Sequence, residues 1–178
     1  PLVRGHQDRR SQDHALHGLL NMASHQRVII FDSPDGTGKT NIAQALSEKT
    51  GISYFRMASQ HDNWRAGKFK TALEFDQTYI AEFLRQTKLS VIIDRAYPSE
   101  WVYSRVYDRD TNHQVLQQVD DIHALMGTTI VIPLRRDYRN SREDEVVSES
   151  MLPRLHDAYL DFERWTRCKT CILYVDEL

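Results

Sequence analysis

Cysteine is scarce in this chain: two residues among 178, Cys168 and Cys171, in the stretch CKTC. A zinc site needs two further soft ligands at fitting spacing, and there is no second pair. A thioredoxin-type pair opens a helix after an early strand, whereas this pair falls late, at a helix-to-strand passage. The thiols therefore read as structural or incidental, and a reducing cytoplasm is the simplest compartment. Long apolar runs are also missing. None approaches the ~20 residues of a membrane helix, so no membrane partner is expected. Charge of one sign is not in excess: 23 Lys and Arg face 25 Asp and Glu, a formal net charge of -2. That balance gives no global pull toward nucleic acid, while a local basic groove stays open. Eight histidines are scattered, and His14 and His17, three apart, have no third ligand to make a metal site.

What is present suits one α/β domain. The length fits a single core. Residues 1–21 are polar and rich in Arg, Gln and His, and read as an N-terminal arm or an extension. Met22 is a plausible start of the domain proper, expected over 22–178. From there short apolar runs alternate with helical patterns. RVIIFD (27–32), ISYF (52–55), LSVIID (89–94), TTIVIPL (128–134) and CILYV (171–175) read as buried strands. Helices are expected over 39–49, 71–87, 98–107, 112–126 and about 150–167. In the fourth of these, Val115, Val119, Ile122 and Met126 lie in register. Continuous apolar strands alternating with helices imply a parallel sheet covered on both faces. Ligands of such sheets lie beyond the carboxyl ends of the strands.

The segment FDSPDGTGKT (31–40) lies at such an end, after the first strand. It fits G-x-x-x-x-G-K-[ST], except that Ser33 stands where the first glycine is usual. In this motif the loop of Ser33, Pro34, Asp35, Gly36, Thr37 and Gly38 turns its main-chain N–H groups, proline having none, inward around a phosphate. The following helix, through Lys39, Thr40 and Asn41, adds its positive end. Lys39 would neutralise β/γ oxygens of ATP, and the Thr40 hydroxyl would ligate Mg²⁺. The rival reading is a chance Gly-Lys-Thr on an ordinary strand-turn-helix.

The same stretch resembles the FEGxDGxGKST segment of thymidylate kinases and deoxynucleoside kinases. Asp32 matches that family's acid at the strand end, and Asp35-Gly36 its Asp-Gly. VIIDRAYPSEWVYS (91–104) resembles the family's Asp-Arg motif, and SREDEVV (141–147) its arginine-bearing lid, here about 135–146. The resemblance implies a three-layer P-loop NTPase fold, with a five-stranded parallel sheet in the order 2-3-1-4-5. It also implies an ATP- and Mg²⁺-dependent kinase. By the same resemblance Arg95 faces the acceptor or the transferred phosphoryl, while Arg139 and Arg142 close over ATP. The chain is short for a thymidylate kinase, leaving less room for acceptor-side helices.

Two acids and several rings bear on the acceptor. A hydroxyl acceptor benefits from a carboxylate within hydrogen-bond reach, which a monophosphate does not need. In deoxynucleoside kinases the matching acid takes that role, so Asp32 is the candidate general base. Its alternative is to orient a water on Mg²⁺ or an arginine. Asp94 is a candidate metal residue with Thr40, through water, or a partner for an arginine. Arg56, Trp64, Tyr97, Trp101 and Arg105 interleave bases and aromatics on the acceptor side and are candidate substrate contacts. Trp101 and Tyr103, in a short amphipathic helix, also read as core. The expected acceptor is a hydroxyl of a nucleoside or of a nucleotide in DNA, such as a 5′ end or a hydroxymethylated pyrimidine. A thymidylate kinase is the rival, and a nucleotide-binding module without turnover the third reading. The composition is compatible with a monomer or an oligomer.

Overall fold

A computed structural model of the chain describes residues 26–56, 76–138 and 149–177. The N-terminal arm, Trp64, Arg139 and Arg142 lie outside the described residues, as does most of the expected lid. Five strands make one sheet: β1 (Val28–Phe31), β2 (Ser53–Arg56), β3 (Val91–Asp94), β4 (Thr129–Leu134) and β5 (Lys169–Tyr174). All neighbours pair in parallel, in the order β2-β3-β1-β4-β5. Class and order are those expected.

Alternation along the strands divides the layers. Val28 and Ile30 of β1 join Ile93, Ile130 and Ile132 on one face. Phe31 joins Ile92 on the other, beside the half-buried Ile29 and Val131. Burial on both faces is why the runs read as continuously apolar. The second face is covered by α1 (Lys39–Thr50) through Ala43, Ile42 and Leu46. The first carries α3 (Tyr97–Val106), α4 (His113–Leu125) and α5 (Leu152–Trp165). Between β2 and β3 a π-helical turn, Asp76–Ala81, runs into α2 (Glu82–Thr87). In α5, Leu152, Leu155, Tyr159 and Phe162 are buried at helical spacing.

The buried stripe of α4 differs from the one expected. Of the expected Val115, Val119, Ile122 and Met126, Val119 is buried and Val115 and Met126 pack half-buried against the core, but Leu116, Asp120 and His123 complete the buried stripe. The reason is polar. Asp120 accepts hydrogen bonds from the Tyr97 hydroxyl at 2.6 Å, the Arg167 amide at 2.9 Å and the Thr166 hydroxyl. Its carboxylate thus ties α3 to the turn leading into β5. His123 stacks on the Tyr97 ring at 5.3 Å, and its Nδ1 lies 3.2 Å from the Thr128 hydroxyl. Buried polar groups persist when every one has such a partner, and this set outweighs the apolar preference of Ile122. No helix among the described residues is long and apolar enough to cross a membrane.

Candidate active site

Pairing in the sheet brings the site together. Phe31 is the register partner of Asp94, and Arg56 is Asp94's partner on the other side. The ends of β1, β2 and β3 therefore deliver Asp32, Arg56, Asp94 and Arg95 to one edge. The turn from Ser33 to Gly38 leaves the same edge, and Lys39 opens α1 there.

Gly36 and Gly38 have φ of 77° and 75°, the left-handed region that side chains disfavour. A Cβ on Gly38 would meet nothing within 4 Å, so the dihedral rather than crowding selects glycine. Ser33 has no such demand, since it is not among the positive-φ residues. Its hydroxyl lies buried inside the turn, 2.6 Å from that of Thr37, and Thr37 donates to the Pro34 carbonyl at 3.1 Å. The substitution for glycine thus adds a brace within the loop. A further brace comes from Arg135, immediately after β4, whose Nε donates to the Gly36 carbonyl at 3.1 Å.

Two cations converge inside this frame. Lys39 Nζ donates to Asp35 Oδ1 at 3.1 Å, and Arg95 Nη2 reaches the same oxygen. The Tyr103 hydroxyl donates to Asp35 Oδ2 at 3.4 Å. Burial raises the Asp35 pKa, but Arg95 and Lys39 together outweigh it and hold the carboxyl below its ordinary value. Burial, then the neighbouring Arg95, lowers Lys39, against the opposing pull of Asp35. Arg95 is raised above the ordinary arginine value: burial disfavours its charge, and Tyr103, Asp35, Tyr159 and Asp32 more than offset that. Its own backbone is strained, with φ at 66°, and its amide donates to the Phe31 carbonyl at 2.9 Å.

The two strand-end acids have opposite fates. Asp32 is fully buried, with four donors on its two oxygens. Oδ2 accepts from the amides of Ala96 and Ser99, both at 3.0 Å. Oδ1 accepts from the hydroxyls of Ser99 and Tyr159, both at 2.7 Å. It serves the exposed amides at the start of α3, as a capping side chain does, but from another strand. With four donors on its two oxygens, the carboxylate matches the alternative role, orienting an arginine, better than that of a general base. Replacement by Asn sets an N–H₂ against N–H donors. Asp32→Asn is expected to lower the unfolding free energy by about 3 kcal/mol, read from denaturant melts.

Asp94 is also buried, but only half engaged. Its Oδ2 accepts from the Thr40 hydroxyl at 2.6 Å and the Tyr54 hydroxyl at 2.9 Å, with Arg56 Nε at 4.0 Å. Burial and then the bond to Asp94 push the Tyr54 hydroxyl up to about 12. Asp94 Oδ1 is buried with no partner. A carboxylate oxygen in that state is one that a hydrated cation or water completes. Among the described residues no group of three or more His, Cys, Asp or Glu could hold a metal alone. Mg²⁺ beside phosphates needs few protein ligands, so a Thr40 hydroxyl and an open Asp94 oxygen fit it.

Three expected substrate contacts are not at this edge. Tyr97 is fully buried, held by Asp120 and stacked on His123. Trp101 is core, edge-on to Phe162 at 5.5 Å and tilted against Trp165 at 5.4 Å. Arg105 covers the Trp101 ring, its guanidinium carbon 3.9 Å from the centroid. The cause is helical geometry: on α3 these side chains share the face packed on α5. Arg56 is exposed at the rim, and Asn41 is exposed in the first turn of α1. Tyr54, Ser99, Tyr103, Arg135 and Tyr159 also contribute to this edge and were not among the sequence candidates. Arg135 directly follows a strand, as Arg95 does, and that rule points to it. Tyr159 gives no local signal, because its partner Asp32 is 127 residues away.

No family model matches the chain, and no curated protein matches its sequence. Solved structures do. The YorR protein of Bacillus subtilis, in complex with phosphorylated GDP, superposes with a TM-score of 0.58 at 16% identity, over 84% of this chain and 86% of that one. Deoxyadenosine kinase from M. mycoides with bound dATP gives 0.52 at 17%, over 84% and 91%. Thymidylate kinase from Ehrlichia chaffeensis gives 0.51 at 20%, over 82% and 86%. With its parallel sheet, phosphate-type loop and paired strand-end acids, the chain has the P-loop fold of these three structures.

Proposed function

We propose that this chain is a Mg²⁺-dependent phosphotransferase that moves the γ-phosphoryl group of ATP to a nucleotide-type acceptor. The observation that carries the reading is the meeting of Lys39 and Arg95 on one anionic oxygen, Asp35 Oδ1. One opens α1 and the other follows β3, yet both point where a negative oxygen sits between the loop and β3. Phosphoryl transfer needs that arrangement, since its transition state spreads charge over oxygens and catalysis is mostly positioning and neutralisation. The ligands of the solved structures, dATP and phosphorylated GDP, support the nucleotide class.

In this reading the amide N–H groups of Asp35 to Gly38 and the start of α1 hold the β-phosphate, and Lys39 bridges toward the γ-phosphate. Thr40 and Asp94 hold Mg²⁺, which when bound neutralises β- and γ-phosphate oxygens. Arg95 stabilises the group in transfer. Arg139 and Arg142 are assigned to the ATP side by the resemblance of their segment, and Asn41 by its place in the first turn of α1.

The acceptor we favour is a nucleoside monophosphate. An alcohol needs a base near neutral pH, and Asp32, the carboxylate expected to serve, has all its lone pairs engaged. A phosphate acceptor is already an anion, and Arg95 and Arg56 flank the edge it would reach. Radiolabelled γ-phosphate should therefore appear on a deoxynucleoside monophosphate, dTMP among those offered, and not on thymidine or on DNA bearing a 5′-hydroxyl or a hydroxymethyl pyrimidine. Label on a nucleoside or DNA returns the hydroxyl acceptor. ATP binding with label on no acceptor leaves a nucleotide-binding module and removes the enzyme.

A further inference from the structure

Asp32 reaches Arg95 through Ser99. The Ser99 hydroxyl has a single proton, and it is donated to Asp32 Oδ1 at 2.7 Å. Its lone pairs are then free to face the other way, where Arg95 Nη1 donates to it at 3.2 Å. The second Asp32 oxygen takes the amides of Ala96 and Ser99, on the turn directly after Arg95. One carboxylate thus fixes the main chain that follows Arg95 and, through Ser99, the direction of its side chain.

We propose that Asp32 and Ser99 are positioning residues that aim the Arg95 guanidinium at the acceptor-side phosphoryl. The carboxylate decides the polarity of the Ser99 hydroxyl. An arginine can only donate, so a hydroxyl whose proton is not drawn away by an acceptor makes a poor partner for it. The left-handed backbone of Arg95 makes such support necessary, because a strained conformation persists only where its surroundings over-determine it. Ser99, one turn into α3, holds one arm of the guanidinium while Asp35 holds the other. Tyr159 also donates to Asp32 and lies near enough to act on the Arg95 charge, but it is not a link in the hydrogen-bond chain from Asp32 through Ser99 to Arg95.

The inference rests on the proposed function for what Arg95 acts on, and not for how Arg95 is held. The test uses the full chain labelled with ¹⁵N-arginine, the Arg95 guanidinium signals being assigned by their loss in Arg95→Lys. Resolved, slowly rotating Nη–H signals are expected in the unmodified protein, in Ser99→Thr and in Tyr159→Phe. They should collapse in Ser99→Ala, while its melting temperature shows that it folds. In parallel, Ser99→Ala should raise the monophosphate KM about tenfold and leave the calorimetric Mg-ATP Kd within about twofold. Arg95 signals unchanged in Ser99→Ala overturn the relay. So do signals disturbed equally by Tyr159→Phe, or lost in Ser99→Thr. If no acceptor is phosphorylated but the signals follow this pattern, the proposed function fails and the relay stands.

Discussion

Lys39→Ala is expected to lower kcat for phosphoryl transfer by on the order of 10³-fold or more, with the fold intact. Lys39 is buried at the start of α1, its ammonium reaching back to Asp35 in the loop. No neighbouring side chain can replace it: Arg95 is already tied to the same Asp35 oxygen and to Ser99, and Arg135 is held by the Gly36 carbonyl. Alanine leaves the main-chain amides in place, so Mg-ATP should still bind, more weakly. Single-turnover transfer and calorimetry on the same sample separate the two effects. A variant that binds Mg-ATP normally and turns over within tenfold of the parent removes Lys39 from the chemistry, and with it the proposed function.

Arg95 offers a second large effect and an unusual control. Arg95→Ala should reduce kcat by about 10³-fold, the scale of a transition-state arginine. Arg95→Gly should lose as much activity, but should be about 1 kcal/mol more stable than the alanine variant. Glycine alone takes φ near 66° without strain. Kinetics and chemical denaturation of the pair are the measurement. Equal stability would mean that the turn relaxes once the guanidinium is gone. Activity retained in either variant would place the transferred group elsewhere.

Much of this was legible in the chain because the sheet is buried on both faces. Each apolar run proved to be a strand, and the phosphate-type loop lay where strand, glycines and lysine predicted. What sequence could not supply was direction around a helix of ten residues. In α3 the apolar and aromatic positions alternate with Ser99, Tyr103 and Arg105. Only packing against α5 decides that Tyr97 and Trp101 turn inward while Ser99 and Tyr103 look toward the loop. The choice between the two readings of Asp32 has a related cause. A family acid at a strand end carries its role only if its surroundings leave it open, and here they are Ser99 and Tyr159, distant in sequence. In α4, likewise, apolar periodicity gave a stripe that Asp120 and His123 overrode.

The tether from Tyr159 to Asp32 has one more implication. The C-terminal helix supports the phosphate-type loop without lining it, since a phenol in the middle of α5 completes the shell of the residue just ahead of the loop. Cutting the chain before that helix would uncover a carboxylate and loosen the bend beside it, so a shortened protein would not be a fair proxy for the cradle alone. Recognition of a ligand and integrity of the far end are two faces of one equilibrium.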